Sequence, residues 1–208
     1  MFEMWIVGPV ISILATVNVL IHLYEDWKIL QENDSRSFAE PSTTIDPLPM
    51  AVTVLSTLLS FGIVLVIIVE YLFGFNGQFF GLMIPLLDPP FLVWFIGFLL
   101  VSVGIVLHAW SRYVRQDMAT SWALTHTHVL ITKGPYSKIR HPSYSAYFLC
   151  FIGLFLLIPS VMTLMLLVGF YGYHEIAITE EKLLLDHFGD EYRDYMYRTG
   201  RFLPFSSG

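Results

Sequence analysis

A chain of 208 residues with 55% hydrophobic and only 13% charged residues, and a mean hydropathy of +0.64, is not an ordinary soluble domain, in which roughly a quarter of residues carry charge. The net charge of −6 is spread over loops and the C-terminal stretch, which excludes the dense basic patch a nucleic-acid partner requires. The single cysteine, Cys150, lies in an apolar run, so it rules out an intramolecular disulfide and reads as a small buried hydrophobe.

A bilayer core about 30 Å thick needs about 20 apolar residues in helix. Met4–Tyr24 meets that requirement, with Trp5 and Tyr24 as interfacial aromatics and Glu3 where a signal peptide would carry positive charge. Met50–Leu72 is the second span and Phe91–Trp110 the third. Ser143–Tyr173 is nearly continuous, yet as one helix it would run about 45 Å, too long for a bilayer without extreme tilt. Breaking it at Ile158–Pro159–Ser160 gives a helical hairpin of two short spans, because proline disfavours helix at the residue before it. The fold class expected is an all-α integral membrane protein of five transmembrane helices. With five spans all 11 Lys and Arg fall on one side. The positive-inside rule then places the N-terminus outside, and the C-terminus and functional residues in the cytoplasm, in a multi-pass protein of the cell membrane.

From His174 onward apolar residues alternate with acidic ones at helical spacing, predicting a C-terminal surface helix interrupted at Gly189. The tail Gly200–Pro204 is then expected to fold back against the body. Residues 1–111 thus form the three-span portion with its loops. Residues 112–208 form a core of cytoplasmic loop, hairpin and C-terminal helix.

The loop Arg112–Arg140 is too long for a plain connector. Gly134-Pro135 marks a turn, and Pro142 after His141 suits the first turn of the fourth span, whose free N–H groups favour an anionic group. Taken alone, these residues fit an interfacial belt of Tyr, Arg and Lys just as well. Glu180-Glu181 follows the fifth span, where paired carboxylates are usually a solvated face. If the hairpin returns the chain to the level of His141, Glu lines one wall and a helix N-terminus the other. That pattern suits a zwitterionic cofactor with a sulfonium or ammonium centre. His126 and His128 have no third ligand at a defensible spacing, so no metal site is expected. Glu70 and His22 read as interfacial groups near span ends, His108 as a minor candidate and Asn18 as helix-packing glue. No Gly-rich nucleotide fingerprint follows a strand pattern, so a Rossmann domain is not expected.

The series His128-Val129-Leu130-Ile131-Thr132-x-Gly134-Pro135-Tyr136, Arg140-His141-Pro142-Ser143-Tyr144, Glu180-Glu181-x-Leu183 and Phe188-Gly189-x-x-Tyr192-x-x-Tyr195 resembles the isoprenylcysteine carboxyl methyltransferases and the related phospholipid N-methyltransferases. The resemblance covers roughly residues 112–205 and suggests a prokaryotic member. It implies S-adenosylmethionine as cofactor, with S-adenosylhomocysteine as product. By motif, the cofactor contacts would be Gln116, His128, Val129, Leu130, Ile131, Tyr136, His141, Pro142, Ser143, Tyr144 and Glu180. Eukaryotic members carry an Arg four residues before the first Glu of the pair, where this chain has Ile176, and His174 is the nearby substitute. The expected reaction is methyl transfer to a prenylated or lipid-like substrate entering from the bilayer lipids. A carboxylate acceptor needs no base, whereas an amine would need one, for which His174 and Glu181 are the catalytic candidates. Rival readings are a phospholipid N-methyltransferase, an NADPH-dependent sterol-type reductase and a non-enzymatic membrane protein.

Overall fold

A computed structural model describes residues 4–31, 46–75, 78–115 and 129–204. All regular elements among these residues are helical: α1 (Met4–Gln31), α2 (Pro47–Phe73), α3 (Phe91–Arg115), α4 (Pro142–Leu157), α5 (Val161–Met165), α6 (Gly169–Phe188) and α7 (Asp190–Arg198). Short 3-10 turns occupy Gln78–Met83, Gly134–Ser137 and Leu166–Val168. Four stretches are long and apolar enough to cross a membrane: Trp5–Lys28, Pro47–Phe73, Phe91–Arg115 and Val161–Phe188. The 16-residue α4 is apolar but only about 24 Å long.

Local sequence sets the helix ends. The Asp46 carboxylate accepts the Leu48 N–H and Pro47 opens α2 with its ring-fixed φ, while Gly74 closes it in the left-handed conformation. The break at Pro159 is present. α4 stops at Leu157, and Ser160 and Thr163 start α5 with a reciprocal capping box. The freed backbone groups pair with the loop between α2 and α3, Leu86 N–H donating to the Pro159 carbonyl and Val161 N–H to that of Ile84.

α3 and α4 pack closest, through glycines. A Cβ on Gly97 would lie 2.6 Å from the Leu157 backbone nitrogen, and one on Gly153 would lie 2.7 Å from that of Val101. Small residues let two helices meet backbone to backbone where lipid gives no hydrophobic drive between them. Around this contact lie Ile11, Ile67, Val101, Phe151, Leu154 and Leu166, all fully buried.

Several boundaries differ from the sequence reading: α1 runs beyond Tyr24 to Gln31, and α2 begins at Pro47 rather than Met50. α3 runs beyond Trp110 to Arg115, carrying two arginines on its last turn. The predicted separate surface helix does not begin at His174, because α6 continues unbroken from Gly169 to Phe188. The polar residues there change which face is wetted without supplying a breaker. The helix ends only at Gly189, at φ +56, and the separate C-terminal helix is α7. The tail folds back as expected: Arg140 N–H donates to the Gly200 carbonyl, Gly200 N–H to Lys138 and His141 N–H to Arg201.

Candidate active site

The returning tail and the hairpin bring the first turn of α4, the middle of α6 and α7 together beside residues 129–136. Gly134, at φ +61, makes the turn into Pro135, and a Cβ there would press on Val114 of α3 at 2.9 Å. Tyr195 fixes the same turn from α7 by donating its hydroxyl to the Tyr136 carbonyl at 2.6 Å.

Two glutamates are buried here with different partners. Glu180, 1% exposed, accepts the Tyr144 hydroxyl at 2.6 Å and lies 3.3 Å from His141 Nδ1. Glu181 accepts from Arg140 Nε at 2.9 Å and Arg201 Nη2 at 2.8 Å, with His141 Nε2 at 3.2 Å. His141 therefore bridges the two carboxylates through both ring nitrogens. Burial disfavours its imidazolium, but the hydrogen bonds to Glu180 and Glu181 and the charges of both outweigh that, and its pKa is raised. Protonated, the ring donates in both directions. The Arg140 guanidinium also donates to the carbonyls of Met196 and Thr199, which ties the end of α7 to the start of α4.

A pocket opens beside this cluster, with about 660 Å³ free of protein atoms, its open mouth included. Of the residues read from sequence as cofactor contacts, Val129, Leu130, Ile131, Tyr136, His141, Ser143, Tyr144 and Glu180 line it. Pro142 is buried at the first position of α4 and is not among the lining residues. Gln116 and His128 lie outside the described residues. The two candidate bases are elsewhere. Glu181 is enclosed by its cations, and His174 is half exposed, 3.2 Å from Glu175 and facing the Phe202 ring. Arg115 and Leu184 also line the pocket and were not singled out in the sequence. Leu184 is one turn beyond Glu180, a spacing that could have found it; Arg115 looked like an ordinary basic residue flanking a span.

Two polar groups lining the pocket have no hydrogen-bond partner among the described residues. The Tyr192 hydroxyl is buried without a hydrogen bond, as is Arg115 Nε, and both residues line the space. No group of three or more His, Cys, Asp or Glu able to hold a metal occurs among the described residues.

A second cavity, about 890 Å³ on the same measure and almost wholly apolar, lies between α1, α2, α3 and α4. Its few polar groups include Asn18 and His108, whose Oδ1 and Nδ1 are 3.2 Å apart. Tyr147 lines this cavity and Tyr144 the first, one turn apart on α4, and both rings pack on Tyr173 at 5.0 and 4.7 Å between centroids.

Fold and site together define a helical membrane protein with a partly polar pocket where the first turn of α4, the middle of α6 and α7 meet. Residues 92–191 match the family model described as phospholipid methyltransferase. The chain is 37% identical over 83 residues to the protein-S-isoprenylcysteine O-methyltransferase of Tribolium castaneum, covering 39% of this chain and 30% of the relative. It is 38% identical over 100 residues to that of Saccharomyces cerevisiae, covering 47% and 39%. To the probable protein-S-isoprenylcysteine O-methyltransferase of Oryza sativa subsp. indica it is 28% identical over 130 residues, covering 60% and 68%. The chain is thus similar over residues 92–191 to the phospholipid methyltransferase family model, and over part of its length to protein-S-isoprenylcysteine O-methyltransferases. It spans about a third of the length of the first two relatives.

Proposed function

We propose that the protein is an S-adenosylmethionine-dependent methyltransferase acting on a membrane-embedded acceptor, foremost the carboxylate of a prenylated cysteine. The observation that carries this reading is the meeting in one pocket of residues 129–131, the His141–Tyr144 turn and Glu180, three separated segments in the family's motif order. The residues fit the cofactor: Glu180 offers a buried carboxylate to a cationic centre, while Arg115 Nε and the Tyr192 hydroxyl are buried without partners. The α4 N-terminus adds the positive end of a helix dipole. When bound, the cofactor supplies an electrophilic methyl group on a sulfonium.

The chain's own residues position the reactants and exclude water. His141 and Tyr144 hold Glu180 in place, and the Arg140–Glu181–Arg201 cluster fixes the helix ends from behind. The apolar cavity beside Tyr147 suits the acceptor's hydrocarbon chain, with its reactive end passing the Tyr144–Tyr147–Tyr173 stack toward the donor pocket. A carboxylate acceptor would take that methyl group without losing a proton, so the chain's residues would need to supply no base. Glu181 is engaged by two guanidinium groups and His174 is outside the pocket, so neither serves as a base for an amine. That favours carboxyl over amine methylation. Phospholipid N-methylation is the second reading, supported by the family model's description.

The membrane arrangement we propose has five spans, with α4 as the short fourth, the N-terminus outside and the pocket in the cytoplasm. Contacts at each end support it. Asp26 near the end of α1 meets Arg112 near the end of α3, and Thr53 near the start of α2 meets Gly172. At the opposite end Gly8 meets Tyr71, and Gly97 meets Leu157. In this arrangement residues 112–208 carry most of the donor site, while α1–α3 supply most of the apolar cavity.

The test is to incubate purified protein in lipid nanodiscs with methyl-tritiated S-adenosylmethionine, offering an S-farnesylcysteine derivative and phosphatidylethanolamine separately. Base-labile label on the first is the expected result. Label stable to base on the second would favour the amine reading, and label on neither would defeat both.

A further inference from the structure

The arginines around the pocket are paired, with one exception. Arg112 meets Asp26, while Arg140 and Arg201 share Glu181. Arg115, on the last turn of α3, donates no hydrogen bond to and forms no ion pair with another described residue, and its Nε is fully buried without an acceptor. It lines the pocket with Ile131, Tyr136 and Tyr144. A guanidinium stays charged at every accessible pH and presents planar donors matched to a carboxylate. Leaving such a donor buried and unmade is costly, so a partner is expected from the ligand.

The local charge balance points the same way. Among the described residues, Arg115, Arg140, Arg201 and His141 are grouped around two carboxylates, Glu180 and Glu181. The Tyr192 hydroxyl, 1% exposed and without a partner, is a second unmade polar group on the same pocket.

We propose that Arg115 is the anion receptor of this pocket and pairs with a carboxylate of the bound small molecule. This rests on the pocket being the methyl-donor site, and it deepens that reading by assigning one end of the ligand to one side chain. The carboxylate has two chemical sources: the amino-acid end of the donor, or the acceptor itself.

The experiment is isothermal titration of intact protein in detergent, with wild type, Arg115→Met and Arg115→Lys. Its ligands are S-adenosylhomocysteine, 5′-methylthioadenosine, which lacks the amino-acid end, and an S-farnesylcysteine derivative as free acid and as methyl ester. If the donor supplies the carboxylate, Arg115→Met weakens S-adenosylhomocysteine about tenfold to a hundredfold, the loss typical of a buried charged pair, and leaves methylthioadenosine unchanged. If the acceptor supplies it, the free acid weakens by a similar factor while S-adenosylhomocysteine and the ester do not. Arg115→Lys keeps the charge without the fork and shows a smaller loss on the same ligand, which also serves if Arg115→Met fails to fold. The proposal is overturned if no ligand is affected, or if methylthioadenosine and the ester weaken as much as the acids. Wild type that binds no S-adenosylhomocysteine would instead remove the donor-site reading beneath it.

Discussion

Tyr144 donates its hydroxyl to Glu180 at 2.6 Å across 36 residues of sequence, joining the first turn of α4 to the middle of α6. The bond orients the pocket's buried carboxylate. Tyr144→Phe removes it but retains the ring stacked on His141 at 5.3 Å, so folding is expected to survive. S-adenosylhomocysteine affinity is expected to fall by about 1.5–3 kcal/mol, the range for a hydrogen bond to a charged group. Calorimetric titration of both proteins measures the difference, and equal affinities would remove Glu180 from the binding site.

Glu181 is expected to matter more for stability than for chemistry. Glu181→Gln leaves Arg140, 8% exposed, and His141 without their shared counter-charge. Removing one partner of a buried pair costs about 3–5 kcal/mol. A large drop in thermal midpoint is expected, together with faster proteolysis of the tail held by Arg201. An unchanged midpoint with lost turnover would make Glu181 a reacting group instead.

His141 gives the fold a pH dependence of known sign. Its folded pKa is raised, so its contribution is fully present below the unfolded value of about 6.5 and is lost as pH rises through the folded value. The thermal midpoint of ligand-free protein should therefore decline as pH rises above about 6.5 and through the folded value, and His141→Gln should flatten that decline. A wild-type midpoint that rises over this window would contradict the imidazolium bridge.

The α3–α4 contact tolerates no extra methyl group. Gly97→Ala places a Cβ 2.6 Å from the Leu157 backbone nitrogen and must separate the helices, at a cost of about 1–3 kcal/mol. Gly62→Ala meets nothing within 4 Å and should be neutral or stabilising by up to about 1 kcal/mol through helix propensity. Thermal unfolding of the two variants in the same detergent gives the comparison.

Topology is open to direct labelling. In a Cys150→Ser background, cysteines at the exposed positions Ser137 and Asp194 should react from one side of sealed vesicles and a cysteine at Gln78 from the other. Reaction of Ser137→Cys and Asp194→Cys from opposite sides would divide the pocket and end the proposed assignment.

The sequence by itself determined the long apolar helices, the break at Pro159, the interruption at Gly189 and most of the pocket residues. Span length, proline geometry and glycine's access to positive φ are properties of the local chain. The motif residues from Val129 to Glu180 were legible because their types recur in order, although their meeting was only inferred. Tertiary structure alone decided what each charged group does. Glu180 and Glu181 are neighbours in sequence, yet one faces the pocket while the other is enclosed by Arg140, His141 and Arg201. His174 lies outside the pocket, while Arg115 lines its wall with Nε buried and without an acceptor. The physical reason is that a charge's role depends on the charges and the solvent around it. Around this pocket those neighbours come from chain segments tens of residues apart, which only the closed fold brings within hydrogen-bonding distance.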